Sequence, residues 1–418
     1  MAGVSHRGGI TCATVEGNTR RRDLSSPGAL RENAGVLAAE SLECPRMSAL
    51  SRRDFLRSLA AAGAAGFAGG LLPRWARGEG APRSASLVVR SDYPPQYETP
   101  IDLLSRGSWV TENDDFFVRC HLPVPTIDAA AYRLEVSGLV NSPLSLGLAD
   151  LRAFPESEAT CVLECAGNGR ALYDLPSTSG TQWEYGAVGN AVWTGVSLKS
   201  LLTKAGLQPE ARHVWFEAAD RGPLKAPPFL RSIPLEKAMD DALLAHPMNH
   251  VALPDLHGGP LRAVVPGWYG MAWTKWVTRV RVEATPSDNH FMVKGYRYVY
   301  PGEDPALAQP VEEIQVKSLI TGFGTNHVSG IAWAGRAGVR KVEISTDGGK
   351  TWVLAQLGAN EKPFAWRTWS APLPPDLGTK KVVSRAADRS GRVQPARARP
   401  NASGYANNSI VGSPRVTR

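Results

Sequence analysis

The most constraining feature of this sequence is a change of pattern at residues 301–310, Pro-Gly-Glu-Asp-Pro-Ala-Leu-Ala-Gln-Pro, which has the composition of a linker. Beyond it, apolar and β-branched runs recur at roughly ten-residue spacing, each long enough for one short strand. The predicted strands are residues 315–320, 329–334, 339–345, 351–357, 365–370 and 381–387. Asp347-Gly348-Gly349 lies between two of them, as in a hairpin turn. About seven short strands in roughly 110 residues predict an all-β immunoglobulin-like (Ig-like) sandwich domain over residues 309–418.

The part before the linker mixes strands with short helices. At 418 residues with 43% hydrophobic content, the chain is long enough to bury more than one core, so a further domain is expected here. The predicted strands are residues 116–119, 132–138, 159–163, 213–218, 261–265 and 277–282, and the predicted helices are residues 145–154, 197–205 and 234–240. We assign residues 81–308 to this domain.

The N-terminal region has the pattern of an export signal. Ser51-Arg52-Arg53-Asp54-Phe55-Leu56-Arg57 precedes an apolar run of small residues, 59–72, that is too short and too rich in glycine to span a membrane comfortably. A twin arginine before such a run is typical of a Tat signal peptide, which we expect at residues 47–80, with a periplasmic protein as the product. An ordinary N-terminal helix is the alternative. We expect residues 1–46, upstream of Met47, to be an over-extended start and disordered.

The net charge of +8 divides equally between this leader and the rest of the chain. Residues 1–80 hold 11 Arg and no Lys against 7 acidic residues, and the remainder holds 36 basic against 32 acidic residues. No block of Lys and Arg follows residue 80 that would form a nucleic-acid-binding stripe. The charge therefore argues against nucleic acid as a partner, and we also expect no membrane span.

A cysteine follows the predicted strand 159–163 in the segment Cys161-Val-Leu-Glu-Cys165-Ala-Gly-Asn-Gly-Arg170. Three cysteines follow the leader, Cys120, Cys161 and Cys165, and because this number is odd at least one thiol is free or used in chemistry. A thiolate at a strand end with a cation nearby has a lowered pKa and is a good ligand for a soft metal. A buried structural cysteine beside a turn is the alternative. No C-x-x-C-H motif occurs, so we expect no haem on this chain.

Five motifs occur in one order and together resemble the sulfite oxidase family of molybdopterin enzymes. They are Phe117-Val-Arg119-Cys-His121, Glu164-Cys165-Ala-Gly-Asn-Gly-Arg170, His257-Gly-Gly-Pro-Leu-Arg262, Lys275-Trp276 and Phe291-Met-Val-Lys-Gly-Tyr296. The resemblance runs from about residue 90 to about residue 395. It implies an α+β molybdopterin-binding domain of the sulfite oxidase type, followed by the all-β Ig-like sandwich as a dimerisation domain.

The resemblance also implies roles for individual residues. Cys165 would bind molybdenum, Arg119 and Arg170 would line a sulfite pocket, Tyr296 would lie beside the metal, and Trp183 would be a pocket tryptophan. His121, Asp220, His257, Arg262 and Lys275 would hold the pterin and its phosphate. Two guanidinium groups suit a small dianion because they bind it bidentately. Asp220 as a turn residue and His121 as a structural histidine are the alternatives.

The sequence departs from the family pattern at several positions. Asn407 and Asn408 lie where the family often has a further arginine, for which Arg415 is a possible substitute. Gly169, Trp273 and Gly295 also differ from the residues common at their positions. These changes weaken the positive field of the predicted pocket, which bears on the identity of the substrate.

The function implied is that of a periplasmic enzyme that oxidises sulfite to sulfate by oxo transfer at a Cys-ligated molybdenum centre. Electrons would pass singly to a separate c-type cytochrome, and the protein would be a homodimer. Alternatives are the same fold and cofactor acting on another substrate, as in a sulfane-sulfur dehydrogenase subunit or an oxyanion or sulfoxide reductase. A non-enzymatic secreted Ig-like binding protein and an inactive scaffold are the remaining alternatives.

Overall fold

The computed structural model describes residues 86–104, 109–173, 178–223, 226–374 and 381–412. The predicted leader, residues 1–46 and 47–80, and Arg415 lie outside these ranges. In the part of the chain that is described, no helix has the length and apolar character that crossing a bilayer requires.

The N-terminal part combines many strands with four short α-helices among the described residues. Its strands are β1 Val88–Ser91, β2 Gln96–Glu98, β3 Val118–Arg119, β4 Leu134–Gly138, β5 Leu144–Leu146, β6 Glu156–Glu164, β7 Val188–Ser197, β8 His213–Ala218, β9 Leu230–Pro234, β10 Leu243–Met248, β11 Val251–Ala252, β12 Arg262–Val264, β13 Val277–Glu283, β14 Arg297–Tyr298 and β15 Gln309–Pro310. Its helices are α1 Leu148–Arg152, α2 Leu198–Ala205, α3 Leu235–Asp240 and α4 His290–Val293. This mixture is the predicted α+β class.

Two five-stranded sheets organise this part. One has the order β11-β10-β7-β6 with β12 also paired to β10, and the other has the order β5-β4-β13-β8-β9, in which β4 and β13 run parallel. Side chains of both sheets contribute to one core, for example Leu163 and Trp193 from the first and Phe216 and Val280 from the second. Both sheets are therefore anchored to the same apolar interior, which fixes the loops at their ends.

One predicted helix begins later than expected. Residues 145–154 were expected to be helical, but β5, Leu144–Leu146, occupies the start of this segment and pairs with β4. Leu-Ser-Leu alternates with period two, so it suits a strand that is buried on one side. The helix α1 starts only after Gly147, whose backbone N–H is bound by the Asp150 carboxylate.

The C-terminal part is all-β. Its strands are β16 Lys317–Phe323, β17 His327–Trp333, β18 Val339–Ser345, β19 Val353–Leu354, β20 Gln356–Leu357, β21 Arg367–Pro372 and β22 Val383–Asp388. They form two sheets, β16-β17-β21-β20 and β19-β18-β22, which pack through a shared core that includes Val328 and Val342. The expected strand at 351–357 is two short strands, one in each sheet, on either side of the buried residue Ala355. This is the predicted sandwich.

The two parts share a second core directly behind the end of β6. Val162 and Ala166 of the N-terminal part pack there with Leu319, Trp333 and other residues of the C-terminal part. The end of β6, where Cys165 follows, is thus supported by the sandwich.

Candidate active site

Cys165 is the most accessible of the three cysteines that the structure describes. It follows β6 directly, and its backbone N–H donates to the carbonyl of Ala187 at 2.9 Å. Cys120 and Cys161 are buried, and burial raises the pKa of the Cys161 thiol, so Cys161 is an inert part of the core. Cys165 is partly exposed and lines a cavity, which makes it the cysteine available for chemistry.

This cavity encloses about 650 Å³ with its open mouth included. It brings together eight of the ten predicted site residues: Arg119, His121, Cys165, Asp220, His257, Arg262, Lys275 and Tyr296. Aromatic side chains, among them Phe117, Phe229, Trp273 and Trp276, complete its walls. The chain therefore brings predicted site residues that are up to 177 positions apart in sequence to the wall of one cavity.

Arg262 is a buried cation whose guanidinium has few hydrogen-bond acceptors around it. Its guanidinium lies over the rings of Trp193 and Trp273, with Cζ 5.2 and 5.9 Å from their centroids, and Nη1 donates to the carbonyl of His257 at 2.8 Å. Among the described residues, its Nε has no hydrogen-bond partner although it is buried. Burial lowers the pKa of Arg262 to about 9. A buried guanidinium in this condition is suited to an anionic ligand.

Lys275 supplies a second buried cation. Its Nζ lies 3.0 Å from Sγ of Cys120, donates to the carbonyl of Leu256 at 2.9 Å and lies 4.2 Å from the ring centroid of Trp276. Burial lowers the pKa of this ammonium group. With Arg262, it gives the cavity two fixed positive charges that a phosphate would neutralise.

Asp220 and His257 provide hydrogen-bond acceptors, in contrast to the cationic donors Arg262 and Lys275. Burial raises the pKa of Asp220 to about 6, and one of its carboxyl oxygens is buried with no partner among the described residues. Burial lowers the pKa of His257 to about 3, so its imidazole is neutral at pH 7. Its Nε2 lies 3.0 Å from the carbonyl oxygen of Asn113 and must therefore carry the proton, which leaves Nδ1 as an acceptor. A heterocycle with N–H groups suits such acceptors.

His121 and Tyr296 form a pair in the cavity wall. The Tyr296 hydroxyl lies 2.5 Å from Nε2 of His121, and the imidazole stacks on Phe229 at 4.6 Å. Burial, helped by the charges of Arg119 and nearby cations, lowers the pKa of His121 well below its usual value. Burial raises the pKa of Tyr296, so both members of the pair are neutral at pH 7.

Arg119 is a partly buried cation at the end of β3. Its guanidinium lines the cavity and donates to the carbonyl of Cys120. Arg119 thus presents positive charge to the same space as the Cys165 thiol.

The structure does not place Arg170 and Trp183 in the cavity lining. The Arg170 guanidinium donates from Nε to the carbonyl of Ser403 at 2.8 Å and from Nη1 to that of Thr181 at 2.7 Å. It lies over the ring of Tyr405 as well, so two of its N–H donors and one face of the guanidinium are used by groups outside the cavity. Trp183 is fully buried, and its ring lies edge-on to that of the cavity-wall residue Phe117, with 6.4 Å between the two centroids.

The two asparagines at the departure from the family pattern are also structural. The side chain of Asn407 donates to the carbonyl of Gly169 at 2.8 Å, and that of Asn408 donates to the carbonyl of Val316 at 3.1 Å. Both are buried. They tie the C-terminal segment to the rest of the protein.

Arg231, which the sequence analysis missed, is a further cation beside the site. It is 3% exposed, its Cζ lies 5.3 Å from the ring centroid of Tyr296, and it donates to the carbonyl of Phe291. Burial lowers its pKa to about 10. The only signal in the sequence is a charged residue within the short apolar run Phe229-Leu-Arg231-Ser-Ile.

The donor set fits a phosphorylated organic cofactor that carries a metal. Within the described residues, no group of three or more His, Cys, Asp or Glu side chains is arranged to hold a metal ion. A metal at this site would therefore depend on one soft thiolate, that of Cys165, and on donors supplied by the cofactor. The unpartnered Arg262 Nε and Asp220 oxygen match the anionic and N–H groups of a phosphorylated pterin. The fold and cavity define a cofactor-binding α+β domain joined to an all-β domain.

Comparison with known families gives the class a name. Residues 121–291 match the oxidoreductase molybdopterin binding domain, and residues 304–411 match the Mo-co oxidoreductase dimerisation domain. Sulfite oxidase from Gallus gallus is 37% identical over 341 residues, which cover 75% of this chain and 74% of that protein. The mitochondrial sulfite oxidase of Mus musculus is 38% identical over 341 residues, covering 75% of this chain and 62% of that protein.

Among solved structures, the sulfane dehydrogenase SoxCD from Paracoccus pantotrophus is similar, with a TM-score of 0.69 and 31% sequence identity. The similarity covers 84% of this chain and 92% of the SoxCD chain. The chain belongs to the sulfite oxidase family of molybdopterin-dependent oxidoreductases. It spans about 62% of the length of the mammalian relatives that it matches.

Proposed function

We propose that this protein is a periplasmic molybdenum enzyme that oxidises sulfite to sulfate. The observation that carries the proposal is one cavity in which the Cys165 thiol, Arg119 and the His121–Tyr296 pair meet the buried cations Arg262 and Lys275. The first group suits a metal and a small oxyanion, and the second suits a phosphate. The sulfite oxidases among its relatives support the choice of substrate.

The cofactor that fits here is molybdopterin, held by His257, Asp220, Arg262 and Lys275, with Cys165 as the protein ligand of the metal. When bound, the molybdenum would supply oxo-transfer and two-electron redox chemistry. Arg119 binds the anionic substrate through its charged guanidinium. When Nε2 of His121 carries the imidazole proton and donates it to the Tyr296 oxygen, the neutral hydroxyl keeps its own proton for a hydrogen bond to a substrate oxygen. Arg231 adds positive charge behind Tyr296.

The partners follow from the same chemistry. Substrate oxidation releases two electrons, and we propose that they leave singly to a separate c-type cytochrome. We also propose a homodimer, which the match to a dimerisation domain supports. Export by the Tat route is proposed on the Arg52-Arg53 motif and the apolar run after it.

Molybdenum content and sulfite-dependent reduction of cytochrome c test the proposal together. The purified protein should contain about one molybdenum per chain, and sulfite should drive cytochrome c reduction. Cys165→Ser should lose the metal and the activity, because a hydroxyl is a poorer ligand for a soft metal than a thiolate. Cys161→Ala is the matched control, since Cys161 lies in the core four residues earlier. A wild-type protein without molybdenum would sink the proposal.

A sulfane-sulfur compound is the second candidate substrate. Two observations favour it. The chain is similar to the sulfane dehydrogenase SoxCD, and the Arg170 side chain donates hydrogen bonds to backbone carbonyls outside the cavity. A cavity with fewer cations is less selective for a small dianion. Rapid mixing of the oxidised enzyme with sulfite or with a small persulfide, followed by the absorbance of the metal centre, decides between them. Faster reduction by the persulfide would select the second candidate.

A further inference from the structure

A buried ion pair joins the cysteine turn, residues 164–170, to the C-terminal sandwich. Glu164, the last residue of β6, is 2% exposed, and its Oε1 accepts a hydrogen bond from Nζ of Lys317, the first residue of β16, at 3.2 Å. Its Oε2 accepts from Nε1 of Trp333 at 2.8 Å. Lys317 and Trp333 are also buried, at 3% and 0% exposure. The carboxylate next to Cys165 is thus held by two side chains of the sandwich.

The same carboxylate organises the turn itself. Oε1 of Glu164 also accepts from Nδ2 of Asn168 at 3.0 Å, and Oδ1 of Asn168 accepts from the backbone N–H of Ala187 at 3.1 Å. The backbone N–H of Cys165 donates to the carbonyl of Ala187 at 2.9 Å, and that of Asn168 donates to the carbonyl of Cys165. Glu164, Asn168 and Ala187 therefore fix the backbone on both sides of the thiol.

The C-terminal segment covers the rest of the turn. The backbone N–H of Ala406 donates to the carbonyl of Ala166 at 2.8 Å, and Asn407 donates to that of Gly169. These contacts are neutral, however. Lys317 alone brings a formal charge to Glu164 in the described structure, where its ammonium also lies 5.7 Å from the ring centroid of Trp333.

A buried carboxylate that loses its only counter-charge is strongly destabilised. Moving toward water relieves this cost. Movement of Glu164 displaces Cys165, because the two residues are adjacent and the turn is short. The position of the thiol is therefore coupled to an ammonium group from the other domain.

We propose that Lys317 is a positioning residue for the metal-site thiol, and that it acts by pairing with Glu164 so that the cysteine turn holds Cys165 toward the cavity. The inference rests on the proposed role of Cys165 as the metal ligand. Through Lys317, the dimerisation domain would then be a structural part of the molybdenum site, in addition to any role in assembly.

Alkylation of Cys165 by iodoacetamide in the cofactor-free full-length protein tests the proposal without using activity. Peptide-resolved mass spectrometry separates Cys165 from the other cysteines, and two of those, Cys120 and Cys161, are buried. Lys317→Met should change the Cys165 labelling rate by at least about tenfold and reduce molybdenum per chain, because the turn no longer has one fixed geometry. The double variant Glu164→Gln/Lys317→Met, which removes both charges, should return the labelling rate to within about threefold of wild type.

The matched control is Lys341→Met, which removes a lysine of the other sheet of the sandwich whose partner, Glu343, is near the surface. It should leave the Cys165 labelling rate unchanged. An unchanged rate in Lys317→Met, or a double variant as altered as the single, overturns the proposal. Should Lys317→Met not fold, Glu164→Gln decides alone: a changed rate supports the proposal and an unchanged rate overturns it. If the wild type lacks molybdenum, the proposed function fails while the labelling pattern still tests Lys317.

Discussion

The hydroxyl oxygen of Tyr296 lies 2.5 Å from Nε2 of His121, and both side chains are half-buried in the wall of the cavity that Cys165 lines. Tyr296 has φ of +56°, a left-handed conformation that is uncommon for a tyrosine and that the surrounding contacts must maintain. Its ring stacks on Tyr405 at 5.3 Å. The pair places a phenol O–H rigidly, without charge, beside the proposed metal.

Replacement of Tyr296 by Phe should lower kcat/KM for sulfite by about tenfold to a hundredfold, because one hydrogen bond to the substrate is lost in a buried site. Molybdenum content should not change, because the ring and its stacking on Tyr405 remain. Stopped-flow reduction of the metal centre by sulfite is the measurement. Tyr298→Phe, two residues later and outside the cavity lining, is the control. Equal rates of reduction in Tyr296→Phe and wild type would show that the hydroxyl takes no part in the reaction.

The buried imidazole of His257 should make the cofactor-free protein less stable in acid. Its pKa is about 3 in the folded protein and about 6.5 when unfolded, so between these values the unfolded chain binds more protons. Stability from His257 is therefore present above pH 6.5 and falls by about 1.4 kcal/mol per pH unit as the pH drops toward 3. Asp220, with its raised pKa, acts in the opposite direction between about pH 6 and 4.

Comparison of wild type with His257→Gln isolates the histidine, since Asp220 is common to both. Urea denaturation at pH 6.5, 5.5 and 4.5 should show the stability advantage of the wild type shrinking at each step. A difference that stays constant with pH would show that His257 is not buried in the neutral form.

Arg262→Met should separate cofactor binding from stability. The variant should lose at least about tenfold in molybdenum retention during dialysis, because the buried guanidinium is a proposed phosphate anchor. Without cofactor, its stability should be equal to or higher than that of the wild type, since an under-bonded buried cation has been removed. Metal analysis and thermal unfolding measure the two effects. Arg279→Met, on an exposed part of β13, is the control. A large loss of stability without cofactor would contradict this account of Arg262.

Arg170→Met should mainly lower stability, whereas Arg119→Met should mainly raise KM for sulfite. Loss of Arg170 leaves the carbonyls of Ser403 and Thr181 without their donors and should cost about 2–3 kcal/mol of stability, with little change in KM for sulfite. Loss of Arg119 should raise KM by about tenfold or more with a smaller effect on stability, because a charge-assisted contact to the anion is removed. Steady-state kinetics and urea unfolding give both quantities. A raised KM in Arg170→Met would show that Arg170 takes part in binding the substrate.

The sandwich strands could be predicted from the sequence because each carries its own local signal, as at Val339–Ser345 and Val383–Asp388. Strand β7, Val188–Ser197, has no such signal: it is buried on both faces, and Gly195 lies so close to the Leu244 carbonyl that a Cβ there would be 2.0 Å from its oxygen. Pairing with β6 and β10 makes it a strand, and no local pattern reports that pairing.

The difference between local signals and long-range contacts also decides which site residues could be predicted. The motifs that surround the cavity are short and ordered along the chain, so the residues in them could be predicted. The position of the Arg170 side chain depends on a carbonyl 233 residues later in the chain, at Ser403. Nothing near Arg170 in the sequence encodes that contact, and the same is true of Arg231 beside Tyr296.

The support that Ala406 and Asn407 give to the cysteine turn has a consequence for biosynthesis. A ribosome delivers these residues about 240 positions after Cys165. A nascent chain therefore cannot complete the turn until residues 406 and 407 have been made. Metal loading that requires the finished turn acts as a checkpoint, because a chain loaded with metal has already docked this segment.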